Sequence, residues 1–272
     1  MKVSFIQFDV KKDKKENISI IEKYIKNNDA NLIVLPELSS SGYLFEKREN
    51  LLRASESIEN IEDANKTNQK SIFINEIVKM SKKYSKAIIA GFAENFKDKI
   101  YNSALIAENG YFKGVYRKVH LSDFEKKFFD SGDIKESYNI FEVCKEKLSI
   151  QICFDVWFSE ISRKQILNGS NLICILANFG GENTLEIARV RAIENLTPII
   201  LCNRVGREKT KDIDAYFIGK SFIVDKEGHF LANANKDETT SLNSNIEINN
   251  LKSNIICSNF YDEIKRHYIN SL

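Results

Sequence analysis

Proline, tryptophan and long apolar runs are scarce in this sequence. Its 272 residues include two prolines, one tryptophan and two methionines. No apolar stretch approaches the roughly 20 residues that a membrane-crossing helix needs. The start, MKVSFIQFDVKK, lacks the long apolar block and small-residue cleavage site of a signal peptide, so a cytoplasmic protein without membrane association is expected. An excess of one charge is missing too. Forty basic and 38 acidic residues leave +2, and the lysine runs are interleaved with Asp and Glu, so no nucleic-acid footprint follows. The five cysteines are odd in number and form no C-x-x-C pair, which argues against a zinc knuckle or a disulfide framework. No metal-ligand spacing is visible, and no metal or other cofactor is expected. No Pro/Gly/Ser linker interrupts the chain, so residues 1–272 are read as one domain.

What is present is an alternation of apolar strands and amphipathic helices. KVSFIQF (2–8), NLIVLP (31–36) and AIIAGF (87–92) read as strands. Residues 16–28 and 71–84 read as helices, with a polar stretch over 55–70 between elements. Residues 101–118 alternate around Asn109-Gly110 and predict a hairpin. A strand pair follows at 138–143 and 147–154. The rhythm then restarts: helix 157–168, strand 171–177, helix 184–195, strand 198–203, two strands within 216–231 around Lys226-Glu227-Gly228, and a last strand at 244–248. Continuous apolar strands joined by helices imply an α/β fold, and the hairpins make its sheets mixed. Residues 204–215, charged and irregular, read as a loop bordering a site.

Several residues carry chemistry. Cys153 lies where the apolar run SIQICF gives way to Asp155 and Glu160. A strand cysteine is ordinarily a small core hydrophobe, and Cys174 and Cys202 are read that way. The polar flank of Cys153 allows a nucleophile, which needs a base or a cation nearby. His120, His229 and His267 leave a Cys–His pair open, although no papain-like surroundings support it. Glu37, directly after Pro36 at the tip of an apolar strand, is either a solvated loop carboxylate or a general base with a raised pKa. Lys118, between Arg117 and Val119, is either a surface lysine or a fixed ammonium that lowers the thiol pKa and holds an oxyanion. Glu125, in DFEKKFF, is either a solvated charge or a partner for that lysine.

In combination, FIQFDV, LPELSSSGY, YRKVHL, Glu125 with FFDSGD, IQICFDVWFSE, RAIENLTPIILCNRVGRE and GKSFIVDKEG resemble the nitrilase, or carbon–nitrogen hydrolase, superfamily over nearly the whole chain. The resemblance implies a four-layer αββα sandwich of two mixed sheets, paired into a homodimer or higher homo-oligomer. It implies Glu37 as base, Lys118 as oxyanion-stabilising cation, Cys153 as nucleophile and Glu125 as a second glutamate. Phe154, through its backbone N–H, would assist at the oxyanion. Trp157 stands where the family often has Arg, Ser159 where it often has Pro, and LANFGGE (176–182, with Asn178) replaces a segment that is often Asn-Trp-Pro. Phe154, Trp157, Asn178 and Arg204 are therefore the candidate substrate contacts, with Arg207 and Glu208 also named as readers of the substrate.

The implied function is cysteine-dependent hydrolysis of a C–N bond in a small linear amide, releasing ammonia through a thioester. The alternatives are an N-carbamoyl amine or amino acid amidohydrolase, a nitrilase (disfavoured, because the long C-terminal extension of that branch is not seen), a glutaminase module, and a non-catalytic binding protein that keeps the fold.

Overall fold

A computed structural model describes residues 1–59, 71–248, 253 and 255–269. The first half runs β1 (Lys2–Gln7), α1 (Lys14–Lys26), β2 (Leu32–Val34), α2 (Arg48–Ala54), α3 (Ile72–Lys83), β3 (Ala87–Phe96), β4 (Lys99–Glu108) and β5 (Tyr111–Arg117). The second runs β6 (Phe141–Val143), β7 (Glu146–Ile152), α4 (Ser159–Leu167), β8 (Leu172–Ala177), α5 (Glu182–Asn195), β9 (Ile199–Asn203), β10 (Val205–Lys209), β11 (Asp214–Ile218), β12 (Phe222–Val224), β13 (Phe230–Asn233), β14 (Thr240–Asn245) and α6 (Phe260–Ile269).

Two six-stranded sheets form, ordered β14-β1-β2-β3-β4-β5 and β13-β12-β9-β8-β7-β6. In each, three central strands are parallel and the outer ones antiparallel, which makes both sheets mixed. The period-two alternation of side chains divides each strand between two cores. Leu172, Cys174 and Leu176 of β8 join Val3, Phe5, Val34 and Ile89 in the core between the sheets. Ile173, Ile175 and Ala177 of the same strand face Leu185, Ala188 and Ala192 of α5. On the far side, Ile6, Ile33 and Ile88 meet Ile21 and Ile25 of α1 and Phe73 and Ile77 of α3. The result is the αββα order of layers. Cys174 and Cys202 are fully buried between the sheets, as small core side chains.

The expected helices and strands are present, with informative differences. Strand β7 stops at Ile152, so Cys153 and Phe154 belong to a 3-10 turn (Cys153–Trp157), not to the strand. The loop expected over 204–215 is confined to 210–213: β10 and β11 pair antiparallel from Val205↔Ile218 to Lys209↔Asp214 as a separate ribbon. Its alternation is masked because the charged Glu208 stands on the buried face opposite Ala215, while Arg207, Lys209 and Asp214 share the exposed face. The last strand begins at Thr240 and ends at Asn245, earlier than expected, set by its register against β1. Short α2 and the C-terminal α6 were not anticipated. The polar stretch expected over 55–70 lies outside the described residues from 60 onward. Among the described residues, no helix is long and apolar enough to cross a membrane.

Candidate active site

Glu37 stands just past the end of β2, on a segment pressed against β3. Ser39 Oγ and Ser40 N donate to the Gly91 carbonyl at 2.9 and 3.3 Å. A Cβ on Gly91 would lie 2.4 Å from the Pro36 carbonyl oxygen and 2.5 Å from Leu38 N, so only glycine permits this approach. Lys118 follows β5, where its backbone N–H donates to the Asn102 carbonyl at 2.8 Å and its own carbonyl accepts from Gly132 N at 2.9 Å. These two anchors aim its side chain inward. Glu125 comes from a 3-10 turn closed by Ser122, whose N–H donates to Glu125 Oε2 at 3.0 Å.

The three side chains meet in one hydrogen-bonded cluster. Lys118 Nζ donates to Glu37 Oε1 at 2.8 Å and to Glu125 Oε1 at 2.6 Å. Asn102 Nδ2 donates to the same two oxygens at 2.7 and 3.1 Å. Glu37, Asn102 and Lys118 are fully buried and Glu125 almost so. Asn102 went unnoticed in the sequence. Its signal is a polar residue inside the apolar strand YNSALIA, where an unpaired amide is costly.

Cys153 sits beside this cluster, partly exposed, on a backbone with φ of +49°. That left-handed conformation turns the chain sharply from β7 into the 3-10 turn and is costly for a side chain other than glycine. Burial pushes the Cys153 thiol well up, and the Glu37 carboxylate adds to this. Lys118 and the Asn178 backbone N–H, which reaches the sulfur, pull it down by less. Lys118 thus pulls the thiol in the expected direction, but burial outweighs it and the net shift is upward. Burial also raises the Glu37 carboxyl, with Lys118 opposing and the Glu125 charge reinforcing. Burial alone would depress Lys118, but Glu125 and Glu37 outweigh it and hold the ammonium well above its ordinary range. The charges acting most on the thiol come from Glu37, Lys118 and Glu125, with no histidine among them.

The remaining expected residues divide. Asn178 is 7% exposed and neither amide atom has a hydrogen-bond partner in the protein; Glu37 Oε2 is buried in the same condition. Tyr43, whose phenol burial pushes well up, feels the charges of Glu125, Lys118, Glu37 and Cys153, so it too lines the site. Phe154 packs edge-on to Phe158, with ring centres 5.4 Å apart. Trp157 is 47% exposed and is not drawn into the cluster. Arg204 has a different place from the one expected. Its guanidinium is fully buried and committed to Glu208, to the Val10 carbonyl at 2.7 Å and to Asp9 at 3.4 Å. Glu208 in turn accepts from Tyr43 N at 2.9 Å and Leu44 N at 2.8 Å, and Arg207 pairs with Asp214 at the surface. Glu208, itself held by Arg204, thus holds the Tyr43 segment, and the side chains of both are committed to partners in the protein.

His120 is bound to Asp155, and His229 lies in the exposed turn between β12 and β13. In that turn Asp225, Glu227 and His229 bring ligand atoms within 4.8 Å of one another, a grouping with no familiar metal-ligand spacing in the sequence. Asp225 accepts from the N–H groups of Glu227 and His229, both at 2.9 Å, which accounts for the proximity as turn geometry.

A model of the carbon–nitrogen hydrolase family matches residues 2–253. This chain belongs to that family. A nitrilase from Pyrococcus abyssi is 34% identical over 88% of this chain and 86% of its own length. A citrullinase from Francisella tularensis subsp. tularensis is 27% identical over 98% of this chain and 99% of its own. Among solved structures, a carbon–nitrogen hydrolase from Helicobacter pylori G27 superimposes with a TM-score of 0.78 at 24% identity, over 99% of this chain and 93% of that one, and carries the same fold.

Proposed function

We propose that the protein, acting as one hydrolase domain over residues 1–272, hydrolyses the C–N bond of a small linear amide through a thioester on Cys153. The observation that carries this reading is the buried Lys118 ammonium bridging Glu37 and Glu125 beside Cys153, a residue that is not fully buried. As the Cys153 sulfur bonds to the amide carbon, its proton passes to Glu37. Thiol and carboxyl are both held above their ordinary ranges, so this transfer needs no free thiolate beforehand. Lys118, with the Phe154 backbone N–H, holds the oxyanion. Glu37 returns the proton to the nitrogen, the C–N bond breaks and ammonia leaves. Water, losing a proton to Glu37, then attacks the thioester; the acid is released and the sulfur regains its proton. Glu125 keeps Lys118 charged and in place. A homodimer or higher homo-oligomer in the cytoplasm is the setting we propose.

A second reading is favoured by the citrullinase relative, which aligns over almost the whole of both chains. Citrulline carries an N-carbamoyl group, and the same steps on that carbon release ammonia and then a carbamic acid, which loses carbon dioxide to leave the amine. The test is product release across linear amides, N-carbamoyl amines and amino acids, and nitriles. Ammonia alone from amides supports the first reading, and equal ammonia and carbon dioxide from carbamoyl compounds supports the second. No turnover of any class, with no preferential iodoacetamide labelling of Cys153 over the other four thiols, returns the protein to a non-catalytic binding role.

A further inference from the structure

Asp155 is fully buried and its carboxylate takes four hydrogen bonds from the two segments that carry Lys118 and Cys153. Oδ2 accepts from the Tyr116 hydroxyl at 2.8 Å and from Ile152 N at 3.2 Å. Oδ1 accepts from His120 N at 2.9 Å and from His120 Nδ1 at 3.1 Å. Tyr116 and His120 stand two residues to either side of Lys118. Ile152 directly precedes Cys153, and Asp155 follows it by two. One carboxylate therefore grips the chain on both sides of the ammonium and both sides of the sulfur. The His120 ring also stacks on Phe158, centres 3.5 Å apart, and so reaches the far end of the 3-10 turn.

We propose that Asp155 is a positioning residue that fixes the Cys153 turn against the strand end bearing Lys118, and so sets the placement of sulfur relative to ammonium. The proposal rests on the functional reading above and deepens it. Two features support positioning over direct chemistry. All four acceptor positions of the carboxylate are filled by the protein, which leaves none for substrate. The charges that most perturb the thiol belong to Glu37, Lys118 and Glu125, so Asp155 acts through geometry. The left-handed backbone at Cys153 gives the clamp its purpose: a strained residue keeps such a conformation only where its surroundings over-determine it. Tyr116 is a dependable donor here, since burial, reinforced by Asp155, keeps its hydroxyl protonated.

The test compares Asp155→Asn and Tyr116→Phe with the parent in three measurements: kcat and KM for ammonia release, the rate of iodoacetamide alkylation at Cys153 by peptide mass, and the urea midpoint. Asp155→Asn loses the double acceptor. We expect kcat to fall about 100-fold with KM changed by no more than about threefold, as for a small misplacement of reacting groups. Alkylation of Cys153 in the folded variant should slow about tenfold. Tyr116→Phe keeps the ring and removes one of the four bonds, so losses of the same kind and smaller size are expected, and it carries the test if Asp155→Asn does not fold. A purely structural role lowers the urea midpoint and leaves kcat and alkylation rate per folded molecule at parental values; that result in either folded variant overturns the proposal. If the parent releases ammonia from no compound, the functional reading fails separately, and the alkylation rates alone decide the role of Asp155.

Discussion

Two buried ionic clusters in this molecule look alike on paper and differ in one respect. The first joins Glu37, Lys118 and Glu125 with Asn102; the second joins Arg204, Glu208 and Asp9 with Lys12. In the second, the Glu208 carboxylate is saturated by Arg204, Lys12 and the Tyr43 and Leu44 N–H groups. In the first, Glu37 Oε2 and Asn102 Oδ1 are buried with no partner in the protein. A buried acceptor left so costs about 1–3 kcal/mol. The lesson is that burial of charge does not separate a site from a staple. Open buried acceptors next to a reactive atom do; open acceptors alone do not, since Gln151 Oε1 and Asn195 Oδ1 also lack a side-chain hydrogen-bond partner in the protein.

The comparison can be broken at its strongest point first. Lys118→Ala removes the oxyanion partner and leaves two carboxylates facing each other without a cation. Ammonia release should fall by about 10²–10³-fold or more, and the urea midpoint should drop by the equivalent of about 3–5 kcal/mol. A near-normal rate removes lysine from the chemistry. Glu37→Gln should lower the rate by about 10²–10⁴-fold, the usual worth of a general base. Its effect on stability should stay within about 1 kcal/mol, because Lys118 keeps Glu125. Glu208→Gln should show the converse. It leaves the buried Arg204 short of its main counter-charge, so stability falls by up to about 3–5 kcal/mol while the rate per folded molecule changes by less than about tenfold. If Glu208→Gln costs more rate than Glu37→Gln, the assignment of the two clusters is reversed.

The pH dependence of stability sharpens the same contrast. Burial holds the Glu37 carboxyl above its ordinary range, so folding favours its protonated form. That contribution is complete below the unfolded carboxylate pKa and is lost as pH rises through the higher folded value. Burial also acts upward on Glu208, but Arg204, Lys12 and the Leu44 N–H outweigh it and hold this carboxyl below its ordinary range. Its contribution is complete above the unfolded pKa and is lost as pH falls through the lower folded value. Urea midpoints should therefore show Glu37→Gln gaining on the parent as pH climbs above the carboxylate range. The deficit of Glu208→Gln should shrink below that range. Parallel curves for the two variants would remove the distinction. The smallest effect belongs to Trp157→Ala. That side chain is 47% exposed and outside both clusters, so its removal should shift stability by no more than about 0.5 kcal/mol.

Much of the architecture was legible in the sequence because apolar runs such as NLICILA are long enough to mark buried strands, and Asn109-Gly110 marks its hairpin. Glu37, Lys118, Glu125 and Cys153 were legible as an ordered set, and the fold brings all four together. What was not legible depends on partners far away in the chain. Arg204 reads as a candidate substrate contact until Glu208, Asp9 and Val10 surround it. Strand β7 reads on through Cys153 until the turn at φ +49° stops it at Ile152. Asn102 reads as an incidental polar residue and Asp155 only as part of the polar flank of Cys153, since nothing local says that one will bridge two carboxylates and the other will grip two segments. The ribbon of β10 and β11 was missed because neither of its faces is wholly apolar.

The central claim is most directly tested by the mass of the protein after mixing with a slowly hydrolysed amide or carbamoyl compound and quenching in acid. The account predicts a gain equal to the compound minus ammonia, located by peptide mapping on Cys153 and absent in Cys153→Ala, which should be folded and inactive. Turnover surviving in Cys153→Ala, or an adduct carried by any of the other four cysteines in place of Cys153, would contradict it.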